Sequence, residues 1–304
     1  MKIVIALGGN ALLQRGQALS AHNQLMSIRA AAIQLASIAK GHDLLITHGN
    51  GPQVGLLALQ AESYQDVAPY PLDMLGAQTQ GSIGYLIEQE LANRLPASRQ
   101  LACLMTRTVI NANDPELALP SKPIGPMYAE HEAKLLASER HWAVAADDQG
   151  YRRVVPSPTP LGVTNLEAIR CLFERGFIVI AAGGGGVPVM LEPDSEVLHG
   201  VEAVIDKDAT TTLLALALKA DCLLIATGVE AVFEDWGTAQ QKSIGRIAVA
   251  QLQAMTFPRG SMAPKVKAAC EFVSSSGKRA VIGSLHQIEA MLSGTAGTQI
   301  IPAI

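Results

Sequence analysis

Long apolar runs are missing from this chain, although 49% of its 304 residues are hydrophobic. The longest stretches, such as residues 178–182 and 213–218, fall far below the ~18 residues a membrane span needs, so no transmembrane helix is expected. The opening Met1-Lys2-Ile3-Val4-Ile5-Ala6-Leu7 places an apolar run after a charge, but Gly8-Gly9-Asn10 cut it short and no small-residue cleavage site follows. It reads as a first strand rather than a leader. Cysteine is scarce: Cys103, Cys171, Cys222 and Cys270 stand far apart without a C-x-x-C pair. That spacing argues against a zinc site and a disulfide framework, and a reducing cytoplasm is the expected location. The formal net charge of -4 gives no general attraction to polyanions, which argues against nucleic acid as the main partner. Any anion site must be built locally.

Familiar catalytic signatures are missing too. No G-x-x-x-x-G-K-[ST] occurs, so this is not a P-loop enzyme, and no serine lies in G-x-S-x-G. The seven histidines show no metal-ligand spacing such as H-E-x-x-H. Only His48, beside a glycine loop, is a candidate for the site, and a structural role is the better reading for it. Gly49-x-Gly51-x-x-x-Gly55 resembles a variant dinucleotide fingerprint, but it follows the second strand and opens with His-Gly-Asn-Gly-Pro, which sets the dehydrogenase reading aside.

Apolar, β-rich runs at residues 2–7, 43–47, 101–110, 177–182, 221–227 and 279–283 alternate with segments of helical period at 21–40, 72–95, 166–175 and 209–219. Ser20 and Thr164 sit where N-caps belong. This is the βαβ rhythm of a mainly parallel open sheet covered by helices, a three-layer α/β/α class. The length suits two lobes rather than two independent domains. Two regions break the rhythm. Residues 111–160 carry clustered prolines, a short helix near 130–141 and a hairpin of 142–145 with 151–155, turning at Asp147-Asp148-Gln149-Gly150. They predict a small protruding subdomain. Residues 187–204, with Pro188, Pro193, Asp194 and Gly200, predict a strand pair before the second lobe.

Four strands run into glycine: Gly8-Gly9-Asn10, His48-Gly49-Asn50-Gly51, Gly183 to Gly186, and Thr227-Gly228. In open α/β sheets ligands bind beyond the carboxyl ends of strands, where glycine and helix N-termini let backbone N–H groups approach an anion. One Gly pair alone is explained by turn geometry. Four consecutive glycines exceed what a turn needs, and ligand contact is expected there.

Three of the ten lysines have unusual contexts. Lys265 follows Gly260-Ser261-Met262-Ala263-Pro264 in the first turn of a helix running to residue 273. A cation there opposes the helix dipole at a cost of about 0.3 to 1 kcal/mol unless an anion sits nearby. A bound phosphate explains it, and so does an exposed lysine tolerating the cost. Lys207 lies between Asp206 and Asp208 just before a helix. Asp208 could cap that helix, and also orient lysines or hold water on Mg²⁺. Lys122, in Ser121-Lys122-Pro123-Ile124-Gly125-Pro126, lies on stiff backbone with no helix or strand to pack it, and by itself reads as solvated. Glycine loops and placed lysines are what phosphoryl transfer needs, since it relies on positioning and charge neutralisation.

The residues resemble the carbamate kinases of the amino acid kinase superfamily. The likeness is carried by Ala6-Leu7-Gly8-Gly9-Asn10-Ala11, His48-Gly49-Asn50-Gly51-Pro52-Gln53-Val54-Gly55, Thr79-Gln80-Gly81-Ser82-Ile83-Gly84-Tyr85, Lys122-Pro123-Ile124-Gly125-Pro126, Arg153-Val154-Val155-Pro156-Ser157-Pro158, Glu202-Ala203-Val204-Ile205-Asp206-Lys207-Asp208 and Gly260-Ser261-Met262 with Pro264-Lys265. The resemblance implies an acceptor lobe over residues 1–200, with a lid at about 111–160, and a nucleotide lobe over 201–304. It implies reversible phosphoryl transfer between ATP and carbamate, usually in a homodimer and run toward ATP in nitrogen catabolism. Lys122 would reach over the acceptor, Lys207 and Lys265 would grip the transferring phosphoryl group, and Asp208 would organise them. Gly8, Gly9, Asn10, Gly49, Asn50 and Gly51 would surround the acceptor. Asp206, Lys207, Thr227, Gly228, Val229, Met262, Pro264 and Lys265 would meet the nucleotide. Mg²⁺ would be held mainly by ATP or ADP phosphates and water, with Asp208 the candidate side chain. Departures from the family wording, Glu230 after Thr227-Gly228-Val229, Trp236-Gly237-Thr238-Ala239 and Ala263, fall in the nucleotide lobe. A kinase for another small carboxylate-like acceptor and a non-catalytic regulatory binding protein are the alternatives.

Overall fold

The structure is a computed structural model describing residues 1–12, 17–64, 66–147, 150–192, 195–257 and 262–302, with residues 10 and 11 in backbone only. Its frame is an eight-stranded sheet in the order Arg246–Ala248, Thr298–Ile301, Arg279–Ser284, Cys222–Thr227, Lys2–Leu7, Asp43–His48, Ile178–Ile180 and Leu101–Cys103. Neighbours are parallel except Arg279–Ser284 with Thr298–Ile301. The first strand sits in the middle because its side chains are apolar on both faces. Val4 and Ala6 enter one core, Ile3, Ile5 and Leu7 the other, as the two-residue period of a strand requires. One core is closed by the helices Leu166–Glu174, Lys207–Ala217 and Met262–Ser276, the other by Ala21–Ala39, Leu72–Ala92 and Ile288–Ser293. The expected three-layer α/β/α class is what the chain forms.

The expected strand over 101–110 is broken. Gln80 clamps the backbone of Thr106, accepting from its N–H at 2.9 Å and donating to its carbonyl at 3.0 Å. Beyond that point Arg107–Ile110 joins a second sheet, ordered Leu198–Gly200, Val187–Leu191, Arg107–Ile110 and Pro160–Val163. The strand pair expected over 187–204 is Val187–Leu191 with Leu198–Gly200, antiparallel in that sheet. Pro193 and Asp194 lie outside the described residues. Thr164 does not cap the next helix. Asn165 holds that position without a side-chain capping bond, while the Thr164 N–H is spent on the carbonyl of Arg107.

The predicted protrusion is a three-stranded antiparallel sheet, Lys122–Tyr128, Gly150–Val155 and Ala143–Asp147, carrying the helix Glu130–Arg140. Asp148 and Gln149, in the turn expected at 147–150, lie outside the described residues. The subdomain docks on a helix the sequence pattern had hidden, Gly51–Ser63. Its period is masked by Gly51, Pro52 and Gly55, yet Gly55 is what lets Gly125 approach, since a Cβ there would overlap the Gly125 backbone.

Candidate active site

Lys207 and Asp208 open the helix Lys207–Ala217 at the carboxyl edge of the main sheet, and Lys265 opens Met262–Ser276 beside it. The Lys265 ammonium donates to Asp208 Oδ2 at 2.9 Å. Lys207 Nζ lies 2.8 Å from Asp208 Oδ1 in a buried ion pair. The Lys207 and Asp208 side chains are only 9% and 4% exposed. Burial is therefore the largest single influence on each. It lowers the Lys207 pKa, with Asp208 opposing and Lys265 reinforcing that shift. Burial would raise the Asp208 carboxyl, but the two ammonium groups outweigh it and hold it well below the ordinary carboxylate range. For Lys265 burial is again the largest influence, yet Asp208 outweighs it and the pKa rises. Two cations sharing one carboxylate leave a net positive charge in a low-dielectric setting, where an anion is strongly attracted.

Three consecutive threonines aim this helix. Thr210 Oγ1 donates to the Gly185 carbonyl at 2.9 Å, Thr211 Oγ1 bonds Thr47 Oγ1 at 2.7 Å and the Lys207 carbonyl at 2.6 Å, and Thr212 Oγ1 donates to the Ala268 carbonyl at 3.0 Å. They tie the Lys207 backbone to the glycine run, to the Asp43–His48 strand and to the Lys265 helix. Sequence reasoning passed over them. A triple of β-branched residues in the first turns of a helix was the available signal, because it runs against helix propensity.

The capping role belongs to Asp206, not Asp208. Asp206 Oδ1 accepts from the N–H groups of Asp208 and Ala209 at 2.9 and 3.2 Å, because the residue ahead of the first helical turn alone has the extended backbone a cap needs. Asp208, inside the helix, points at the lysines. Asp206 Oδ2 receives the ammonium of Lys122. Contrary to the expectation that nothing packs Lys122, it opens a strand, opposite Val155.

The Gly183 to Gly186 run is buried, and packing accounts for it. A Cβ on Gly183 would overlap the His48 ring and one on Gly184 the Asn50 amide, while one on Gly185 would lie 2.7 Å from the Ile205 carbonyl oxygen and one on Gly186 would strike Thr108 Oγ1. Gly184, Gly185 and Gly186 also hold positive φ. The run seats the neighbouring loops instead of facing open space. Asn50 is held by a 2.8 Å bond from its Nδ2 to Thr79 Oγ1. His48 is buried and its pKa is lowered to about 4, chiefly by burial, so it is a neutral packing group. Gly49 packs against Gly9, its Cβ position 2.6 Å from the Gly9 nitrogen, which brings two of the expected acceptor loops together. Gly51 and Gly228 have open space where a Cβ would stand. Gly8 donates to the Ala226 carbonyl at 2.8 Å, linking the first loop to Thr227, Gly228 and Val229. Met262 and Pro264 share the first turn with Lys265. The Asn10 side chain, Gly260 and Ser261 lie outside the described residues.

Glycine-bounded loops around a buried lysine, a partly buried lysine and the aspartate they share define a phosphate-handling α/β protein. The profile of the amino acid kinase family matches residues 1–284, and the chain belongs to that family. Within it, the chain is 50% identical over 300 residues to the carbamate kinase of Haemophilus influenzae, covering 99% of this chain and 96% of the relative. It is 46% identical to the carbamate kinase of Escherichia coli K12, covering 98% of each. Among solved structures, the carbamate kinase of Giardia lamblia bound to AMP-PNP superposes with a TM-score of 0.88 at 37% identity, over 99% of this chain and 98% of that one.

Proposed function

We infer that the chain catalyses ATP + carbamate ⇌ ADP + carbamoyl phosphate. A carbamate oxygen bonds to the γ-phosphorus as the bond from that phosphorus to the ADP oxygen breaks, its electron pair leaving with ADP. The carbamate oxygen is already anionic, so no general base is assigned. The observation that carries this reading is the Lys207–Asp208–Lys265 trio, net positive, with Lys207 and Asp208 buried and Lys265 partly so. It supports a role in gripping the transferring phosphoryl group, where charge shifts between bridging oxygens.

The remaining assignments follow from it. Residues 1–200 take the acceptor, through Gly8, Gly9, Asn10, Gly49, Asn50 and Gly51, with Lys122 reaching over from the subdomain. Residues 201–304 take the nucleotide, through Asp206, Thr227, Gly228, Val229, Met262 and Pro264 beside the lysines. Among the described residues no group of three His, Cys, Asp or Glu side chains is placed to hold a metal, and each Asp208 oxygen already has an ammonium within 2.9 Å. Mg²⁺ would be held mainly by the nucleotide phosphates and water, with Asp208 the candidate side chain, and would supply charge neutralisation to the transferring group. No helix of the described residues is long and apolar enough to cross a membrane. The four cysteines are free thiols, which supports a cytoplasmic location. A homodimer is the proposed assembly, and light scattering at twice the chain mass is the expected result.

The test is ATP formation from ADP, Mg²⁺ and carbamoyl phosphate in a coupled assay. Turnover is expected from the wild type, and Lys207→Ala and Lys265→Ala should each lower kcat by about 10²-fold or more. Folded wild-type protein that makes no ATP would overturn the reading.

A further inference from the structure

Asp206 faces two ways. Oδ1 caps the helix that begins with Lys207, and Oδ2 holds the ammonium of Lys122, which enters from the protruding subdomain 84 positions away in sequence. Asparagine caps a helix as well as aspartate does, so capping alone does not require the negative charge. The charge holds Lys122 directly, and at longer range it also acts on Lys207 and Lys265. This pair differs in kind from the neighbouring trio: the Lys122 and Asp206 side chains are 35% and 23% exposed, whereas Asp208 is 4% exposed. Water reaches the first pair, so it is weak and easily exchanged. A carboxylate at an anion site also repels the incoming anion unless a cation covers it.

We propose that Asp206 is a positioning residue that holds Lys122, and with it the protruding subdomain, while the site is empty, and yields Lys122 to the anionic acceptor on binding. Lys122 has two competing partners, one built into the chain and one brought by substrate. The strand Lys122–Tyr128 is hydrogen-bonded to Gly150–Val155, so moving Lys122 moves the sheet with it. The link also joins the subdomain directly to the start of the helix bearing Lys207 and Asp208. The proposal rests on the assignment of Lys122 to the acceptor.

Four proteins decide it: wild type, Asp206→Asn, Lys122→Ala and the double variant. Amide hydrogen exchange over residues 122–155 is measured without ligand. Asp206→Asn, which keeps the cap, should speed exchange about 2- to 5-fold, the range an exposed ion pair supplies. Lys122→Ala should do the same, and the double variant should add nothing. Calorimetric titration with carbamoyl phosphate, without nucleotide, supplies the second readout. Asp206→Asn should lower Kd by a similar factor in the presence of Lys122 and leave it unchanged in the Lys122→Ala background. A Kd gain that persists without Lys122 would mean simple charge repulsion and would overturn the exchange of partners, as would wild-type hydrogen exchange in Asp206→Asn. If the wild type showed no turnover, the carbamate kinase reading would fail while ligand-free exchange still tested the Asp206 contact.

Discussion

His48 stands directly before the Gly49 turn, and its ring is 1% exposed beneath Gly183. Its folded pKa of about 4 lies below the ordinary 6.5. As pH falls through that interval the unfolded chain binds a proton that the folded chain refuses, so stability is lost from pH 6.5 down to about 4 and levels off below. The loss attributable to this ring is at most about 3 kcal/mol. Urea denaturation from pH 7.5 to 4 should show a shallower acid slope in His48→Gln than in the wild type, and equal slopes would refute the assignment. Lys207 and Lys265 stood out in the sequence from their local contexts, a cation between two aspartates and a cation in a first helical turn. The division of labour between Asp206 and Asp208 was not. Both are aspartates next to Lys207, and only their place relative to the first helical turn decides which one caps and which one meets the lysines.

At the scale of elements, the start of the Lys207–Ala217 helix is positioned from three sides by Thr210, Thr211 and Thr212, and the Gly183 to Gly186 turn is one of those sides. The turn was expected to face ligand, yet its glycines make room for His48, Asn50, Ile205 and Thr108. Gly184→Ala puts an L-residue at φ +66° and drives its methyl into the Asn50 side chain. Thermal or urea unfolding should register a loss of about 2 kcal/mol or more, and KM for carbamoyl phosphate should rise as Asn50 is displaced. Unchanged stability would show that the turn is not packed as described. Helices with a clear apolar period, such as Ala21–Ala39, were legible to within a residue or two. Gly51–Ser63 was not, because the small residues that hide its period are the ones that admit the subdomain.

For the whole molecule, the Lys2–Leu7 strand pairs with Asp43–His48 on one side and with Cys222–Thr227 on the other, in continuous parallel register. The two halves of the chain therefore share one sheet and both cores. Splitting them would expose Ile3, Val4, Ile5, Ala6 and Leu7, all fully buried. Calorimetry of the ligand-free protein is expected to show one cooperative transition, and two separate peaks would contradict a shared core. The subdomain stands apart in this respect, having its own small sheet.

By itself the sequence determined the class of fold, the positions of most strands and helices, and the glycine loops and lysines proposed to form a phosphate site. These follow from short-range regularities: two-sided apolar strands, helical periods, glycine at strand ends. Only the tertiary structure decided that Lys265 meets Asp208 across 57 residues and Lys122 meets Asp206 across 84. Ion pairing depends on distance in space and on burial, and neither is encoded in the neighbours along the chain.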